Sequence, residues 1–356
     1  MTSKTTIISN LTVYGITHAA IDATCAALIF SIPAIQSTSA PDFFWLVILY
    51  NILAFGLQSI LGLITDYFQS PKLVAFLGCV LTIISVAIFS IEPVLAVILV
   101  GIANALFHVG AGSISLNLTP RKATAPGIFV APGVIGILVG TLIGKTGSYV
   151  AWQFILLLVV LAVFIWFVKP PNIDYSRRSV EQKNTVNYFG AILFLVLLSI
   201  SVRSLVGAVL VFPWKSEMIL LIILTAAVVL GKSMGGILAD KFGWMRIGIG
   251  SLLLSIPLLV FGANTPLLAI VGIFLFNITM PITLVVLSNI LPGRPAYAFG
   301  LTCLALIFGV LPVFSSLKEF LGSGSIILLT VIISSVALYY GLSLYSRNID
   351  SNKLLG

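Results

Sequence analysis

Twelve runs of 17–25 mostly apolar residues, divided by short segments carrying charge, Pro or Gly, take up most of this 356-residue chain. They cover 8–32, 43–64, 73–89, 93–114, 125–145, 150–168, 188–212, 218–238, 247–263, 267–287, 296–314 and 326–345. An α-helix rises about 1.5 Å per residue, so about 20 apolar residues cross a hydrocarbon core about 30 Å thick. Each run therefore has the length of one membrane span. Charged residues make up only 8% of the chain, against roughly 25% in soluble domains. With a mean hydropathy of +1.20, there is too little charge to wet a globule. The expected fold class is all-α and integral to a membrane, with twelve transmembrane helices.

An even number of spans puts both termini on one side, and basic residues choose the side. If the N-terminus is inside, the inner segments hold Lys4, Lys72, Arg121, Lys122, Lys169, Arg177, Arg178, Lys183, Lys241, Arg246, Arg294, Arg347 and Lys353. The outer segments hold only Lys145, Lys215 and Lys318. Both termini are thus expected to be cytoplasmic, in a multi-pass protein of the cell membrane. The net charge of +8 then belongs to cytoplasmic loops and calls for no nucleic acid. The first run is too long and too polar for a signal-peptide core and reads as a retained helix. Cys25, Cys79 and Cys303 sit in apolar runs, with neither metal-ligand spacing nor a disulfide framework.

A polar stretch at 169–187 reads as a linker between two six-helix bundles, 1–168 and 188–356. The halves carry related segments. Gly62-Leu-Ile-Thr-Asp66 closes the second run, and Gly236-Ile-Leu-Ala-Asp240-Lys241-Phe-Gly243 closes the eighth. Asp66 and Asp240 stand 174 residues apart, close to half the chain. A half-length repeat is a common transporter signature, with binding near the midplane between repeats. A carboxylate at such a helix–loop junction can meet the positive N-terminal end of a neighbouring helix.

The two segments resemble the loop motif of the major facilitator superfamily, Gly-x-Leu-Ala-Asp-Arg/Lys-x-Gly followed by basic residues. Gly236, Leu238, Ala239, Asp240, Lys241, Gly243 and Arg246 fit it nearly in full. The first copy keeps Gly62 and Asp66 but has Tyr67 and Gln69 where a basic residue and Gly are expected. A narrower likeness rests on His18-Ala-Ala-Ile-Asp22, Gly101-Ile-Ala-Asn104-Ala-Leu-Phe107-His108, Arg203-Ser204 and Leu291-Pro-Gly-Arg294. These look like the fosmidomycin-resistance branch of drug exporters. The resemblance implies the major facilitator fold, two pseudo-symmetric six-helix bundles, with runs 1, 4, 7 and 10 lining a cavity. It also implies alternating access by a functional monomer, and proton-coupled export of a small organic compound by antiport. Asp66 and Asp240, with Gly62, Gly236, Lys241 and Arg246, would form a cytoplasmic gate.

Ionisable groups inside spans cost several kcal/mol unless paired or wetted. Five lie there: His18, Asp22, His108, Arg203 and Lys232. His18 and Asp22 share a helical face by their spacing of four, as do Asn104 and His108. Run 10 adds Asn277 and a kink at Pro281. His18, Asp22, Asn104, His108, Arg203, Lys232 and Asn277 are the candidate solute and proton residues. Arg203 does not readily give up its proton, so it needs an anion, either Asp22 or an anionic solute. Lys232 has Gln58 at the matching place of the first half, and either snorkels or faces the cavity.

Gly136, Gly140 and Gly144 form a small-residue stripe suited to close helix packing. With Gly127 and Ala131-Pro132 they also partly match the superfamily's antiporter motif. Gly231-Lys232-Ser233 ends a loose P-loop pattern, but inside an apolar helix whose N–H groups are engaged it binds no nucleotide. With no nucleotide site, energy is expected from an ion gradient, most simply of protons carried by His and Asp. No cofactor, resident metal or enzymatic reaction is expected; the partners are a small-molecule substrate, protons and the lipid bilayer. Three rivals remain: an importer or symporter of organic anions clamped by Arg203 and Lys232, a divalent-metal transporter using His18, Asp22 and His108, and an intramembrane lipid-modifying enzyme. The last needs a catalytic pair near an interface, whereas these residues lie at mid-depth.

Overall fold

The computed structural model describes residues 2–35, 39–175 and 188–354. Among these, ten helices are long and apolar enough to cross a membrane: α1 (Lys4–Pro33), α2 (Pro41–Phe68), α3 (Pro71–Ile88), α4 (Pro93–Leu118), α5 (Thr124–Lys145), α7 (Phe189–Val209), α8 (Met218–Phe242), α10 (Pro266–Ile290), α11 (Pro295–Phe314) and α12 (Gly324–Arg347). Two shorter apolar helices, α6 (Ala151–Phe167) and α9 (Trp244–Val260), complete the twelve. The segment 169–175 has no regular secondary structure. The rest of the expected linker, 176–187 with Arg177, Arg178 and Lys183, lies outside the described residues.

Local sequence sets the helix starts and stops. Pro71, Pro93 and Pro266 occupy first-turn positions, where a missing N–H costs nothing and the fixed φ suits the helix. The α8–α9 connection turns on Gly243 at φ +100°, a conformation that a side chain would strain. Three helices are irregular. A π-helical turn, Ile52–Gly56, interrupts α2. α5 breaks at Ala131, just before Pro132. α10 divides into Pro266–Asn277 and Met280–Ile290 around Ile278 and Thr279. The final helix continues to Leu354, beyond the apolar run, because nothing in its polar tail breaks a helix.

Two compact units emerge from the contacts. The first comprises Met1–Pro120, Ile128–Ile173 and Arg294–Cys303; the second comprises Arg121–Gly127, Asp174–Gly293 and Leu304–Gly356. Each unit thus includes a short piece from the other half of the sequence, the start of α11 or of α5. Inside the first unit α1 packs on α4, α5 and α6, α2 on α4, and α3 on α4 and α6. The second repeats much of this pairing: α7 on α10 and α12, α8 on α10, and α9 on α10 and α12.

Glycine brings the backbones of α1 and α5 together. A Cβ on Gly136 would stand 2.1 Å from the Ala19 carbonyl oxygen, and one on Gly140 equally close to that of Ala23. Gly144 meets the Ala27 oxygen at 2.7 Å. Small residues at four-residue spacing on both helices make this approach, since lipid gives helices no hydrophobic reason to associate. The outward faces are apolar. On α6, Trp152, Leu156, Phe164, Trp166 and Phe167 are exposed, as befits a surface whose solvent is hydrocarbon.

Candidate functional site

In the first unit, α1 and α4 bring three of the expected residues into one cluster. Asp22 Oδ2 lies 3.2 Å from His18 Nε2, one helical turn away, and Oδ1 lies 3.7 Å from His108 Nε2. The Asn104 amide donates to Asp22 Oδ1 at 3.1 Å. All four side chains are buried. The two histidines meet through their Nε2 atoms at 2.9 Å, their rings edge-on. Phe107 and Phe129 lie beside the His18 ring.

The other ring nitrogens fix the tautomers. His18 Nδ1 contacts the Phe129 carbonyl at 2.8 Å, and His108 Nδ1 contacts the Asn104 carbonyl at 2.8 Å. A carbonyl only accepts, so each Nδ1 carries a hydrogen and donates it. Phe129 offers its oxygen because it lies in the last turn before the break at Ala131–Pro132. Two neutral imidazoles in this arrangement would aim bare Nε2 lone pairs at each other, beside a carboxylate that also only accepts. Two imidazolium rings would aim N–H at N–H. A single hydrogen shared between the two Nε2 atoms would satisfy the contact, with the Asp22 carboxyl group beside it. Gly133 completes the site: a Cβ there would stand 2.4 Å from His18 Nε2 and 2.5 Å from Asp22 Oδ2.

The three ligand-type atoms also lie within 4.8 Å of one another, a spacing open to a metal ion. Two nitrogens on one tetrahedral zinc, each at about 2.0–2.1 Å, stand roughly 3.3 Å apart, against 2.9 Å here, so a bound ion would need the two rings to part slightly.

In the second unit Arg203 of α7 is buried, with 8% of its surface exposed. Its guanidinium donates to the hydroxyls of Thr279 and Thr283 on α10, the latter at 3.0 Å. Among the described residues no carboxylate pairs with it, and its Nε has no hydrogen-bond partner. Asn277 bonds the Ile273 carbonyl of its own helix, and Lys232 is half-buried on α8. Gln58 also turns to its own helix, donating to the Ala54 carbonyl.

The repeated aspartates make matched contacts. Asp66 accepts from the backbone N–H groups of Ala296 and Tyr297 at 3.2 and 2.8 Å, at the N-terminus of α11. Asp240 accepts from those of Ala123 and Thr124, both at 2.9 Å, at the N-terminus of α5. It also accepts from the Thr124 hydroxyl and from Trp244 Nε1. One turn before each aspartate a glycine admits the capped segment. A Cβ on Gly62 would stand 2.4 Å from the Ala296 oxygen, and one on Gly236 2.2 Å from the Ala123 oxygen. Gly300 lies on the Gln58 carbonyl and Gly127 on the Lys232 carbonyl in the same way. Lys241 and Arg246 are exposed and supply none of the donors to Asp240. Thr124, Trp244, Thr279, Thr283 and Gly133 were not legible as site residues, since Thr and Gly are common in spanning helices.

No family model and no curated protein sequence matches the chain. Solved structures do. A variant of the E. coli fucose:proton symporter superposes with a TM-score of 0.67 at 11% identity, covering 94% of this chain and 99% of that one. A structure of the same major facilitator superfamily transporter in the outward conformation gives 0.67 at 12% identity, with the same coverage. The human organic anion transporter gives 0.70 at 13% identity, again over 94% and 99%. The chain therefore has the fold of the major facilitator superfamily, an all-α, multi-span membrane architecture.

Proposed function

We propose that this protein is a secondary active transporter that works by alternating access and couples a small organic solute to one proton, by symport. The observation that carries the proposal is the His18–His108 contact at 2.9 Å, with both Nδ1 atoms committed to carbonyls. Such a pair holds one proton at a time, and Asp22 neutralises it. A proton so held can be taken up on one face of the membrane and released on the other when the cluster rearranges. Ionisable groups buried in a span are costly and by default point to a substrate, ion or proton pathway.

Symport replaces the export suggested by the sequence motifs, because the solved structures of similar fold include a proton symporter and an organic anion transporter. We assign Asp66 and Asp240 the part of latches at the cytoplasmic ends of their helices: their hydrogen bonds form in one state and break in another. Lys241 and Arg246 would then act through the charge of the loop. The protein would serve as a transporter in the cell membrane and not as an enzyme.

Reconstituted protein tests this. Under an imposed pH gradient, the wild type accumulates solute with measurable proton entry. Asp22→Asn, which keeps size and loses the charge, is expected to fold and lose gradient-driven accumulation. Equal accumulation by that variant would remove the cluster from the coupling mechanism.

A further inference from the structure

We propose that Arg203, Thr279 and Thr283 form the recognition site for a single negative group of the solute, and that the solute is a monovalent organic anion moved with one proton at no net charge. The second clause rests on the proton-coupled reading above; the first stands on the second unit alone. A guanidinium carries five N–H donors and a permanent charge. Here two hydroxyls take two of the donors, and Nε–H is left buried and unpartnered. Hydroxyls orient the cation but do not neutralise it. An uncompensated charge in a span costs several kcal/mol, which an incoming anion removes.

The threonines serve orientation. Thr279 donates its own hydrogen to the Phe276 carbonyl and Thr283 donates to Met280. Thr283 also reaches the Thr279 carbonyl at 3.4 Å, but either way both hydrogens go to carbonyls of their own helix, so each oxygen presents a lone pair to Arg203. That fixes the plane of the guanidinium and leaves Nε–H as a buried donor without an acceptor, which a carboxylate oxygen would supply. Thr279 also sits at the irregularity in α10, preceding the segment Met280–Ile290, which has no side-chain cap. Ile278 and Thr279 keep helical dihedrals, so α10 is irregular there without unwinding, and a helix start favours negative charge. Both features point to the same sign of ligand.

Charge sets the stoichiometry. The His18–His108–Asp22 cluster is neutral with its proton and carries one negative charge without it. The Arg203 site is cationic when empty and neutral when it holds a monoanion. One proton with one monoanion moves no charge.

Acetate, lactate, benzoate and indole-3-acetate, each compared with its own amide, are suitable probes. Protein in nanodiscs is expected to show a saturable rise in melting temperature with at least one carboxylate and none with its amide. Arg203→Gln should weaken that response at least tenfold in apparent affinity, and Arg203→Lys less. No carboxylate response in the wild type, an equal response to the amide, or a full response in Arg203→Gln would each overturn the site. Should Arg203→Gln fail to fold, the carboxylate–amide pair on the wild type and the Arg203→Lys variant still decide. In proteoliposomes, uptake of the responding carboxylate should follow the pH gradient and stay unchanged when potassium and valinomycin impose a potential. Uptake driven by potential alone would overturn electroneutrality. Binding is read without any gradient, so a failed proton site leaves the thermal response intact, whereas a failed anion site removes it.

Discussion

Asp240 holds Thr124 twice, accepting from its backbone N–H at 2.9 Å and from its hydroxyl at 2.6 Å. With Ala123 N–H and the Trp244 indole, four donors converge on one carboxylate at the N-terminus of α5. Hydrogen bonds to a charged group contribute about 1.5–3 kcal/mol each at most, and less where water competes. Asp240→Asn keeps the shape but turns an NH2 group toward a set of donors. A loss of about 2 kcal/mol in the closed state is expected, read as a lower melting temperature and faster labelling of a cysteine introduced at Ala123. Asp66→Asn, at a carboxylate that accepts from Ala296 and Tyr297, should shift the melting temperature in the same direction. Unchanged labelling in Asp240→Asn would deny it a latching role.

Glycines of the same chemistry should respond with opposite signs. Gly140→Ala places a methyl 2.1 Å from a backbone oxygen of α1, so two helices must part, a typical overpacking cost of about 1–3 kcal/mol. A methyl on Gly250 of α9 would meet nothing within 4 Å, and Gly250→Ala should gain up to about 1 kcal/mol from helix propensity. Thermal unfolding of the two variants in one detergent gives the comparison. Equal shifts would mean that the α1–α5 seam does not constrain the fold.

Gly133 separates coupling from stability. The atoms crowding its absent side chain are the ends of His18 and Asp22, not backbone. Gly133→Ala, whose Cβ would stand 2.4 Å from His18 Nε2 and 2.5 Å from Asp22 Oδ2, should therefore move those ends by roughly 0.6–1 Å to reach van der Waals contact and leave the helices in place. The expected outcome is a melting temperature within a few degrees of wild type, with proton-driven accumulation reduced at least tenfold. Retained accumulation would show that the cluster tolerates a geometry other than the one observed.

These contrasts also show what the sequence made legible. The apolar runs, the 174-residue repeat and the pairing of His18 with Asp22 follow from local spacing alone, because hydropathy and helical periodicity are local properties. The capping role of the two aspartates was readable for the same reason: a carboxylate at a helix end seeks N–H groups. The approach of His108 to His18 was not, since it depends on how α1 and α4 pack. Lys241 and Arg246 belong to the motif, yet they lie at the surface, and Trp244 supplies the contact to Asp240 instead. Thr279 and Thr283 were invisible because a threonine in a span ordinarily bonds only its own helix. Only the arrival of Arg203 from α7 gives theirs a second use.

The histidine pair makes the strongest prediction, because its geometry sets a number. At 2.9 Å, with both Nδ1 hydrogens fixed on carbonyls, the two imidazoles have room for one proton between them. Independent proton sites would behave otherwise: each histidine would carry its own proton, and removing both would cost the sum of the single losses. A shared site is lost with either member, so the second substitution has little left to remove. Proton entry per solute should therefore be one in the wild type, measured from the gradient that just halts net uptake. His18→Gln and His108→Gln should each lower gradient-driven accumulation about as far as the double variant does. Facilitated exchange of labelled for unlabelled solute, which needs no net proton movement, should persist in all three and report that they fold. Losses that add, or a ratio of two, would divide the pair into separate sites and end the one-proton mechanism.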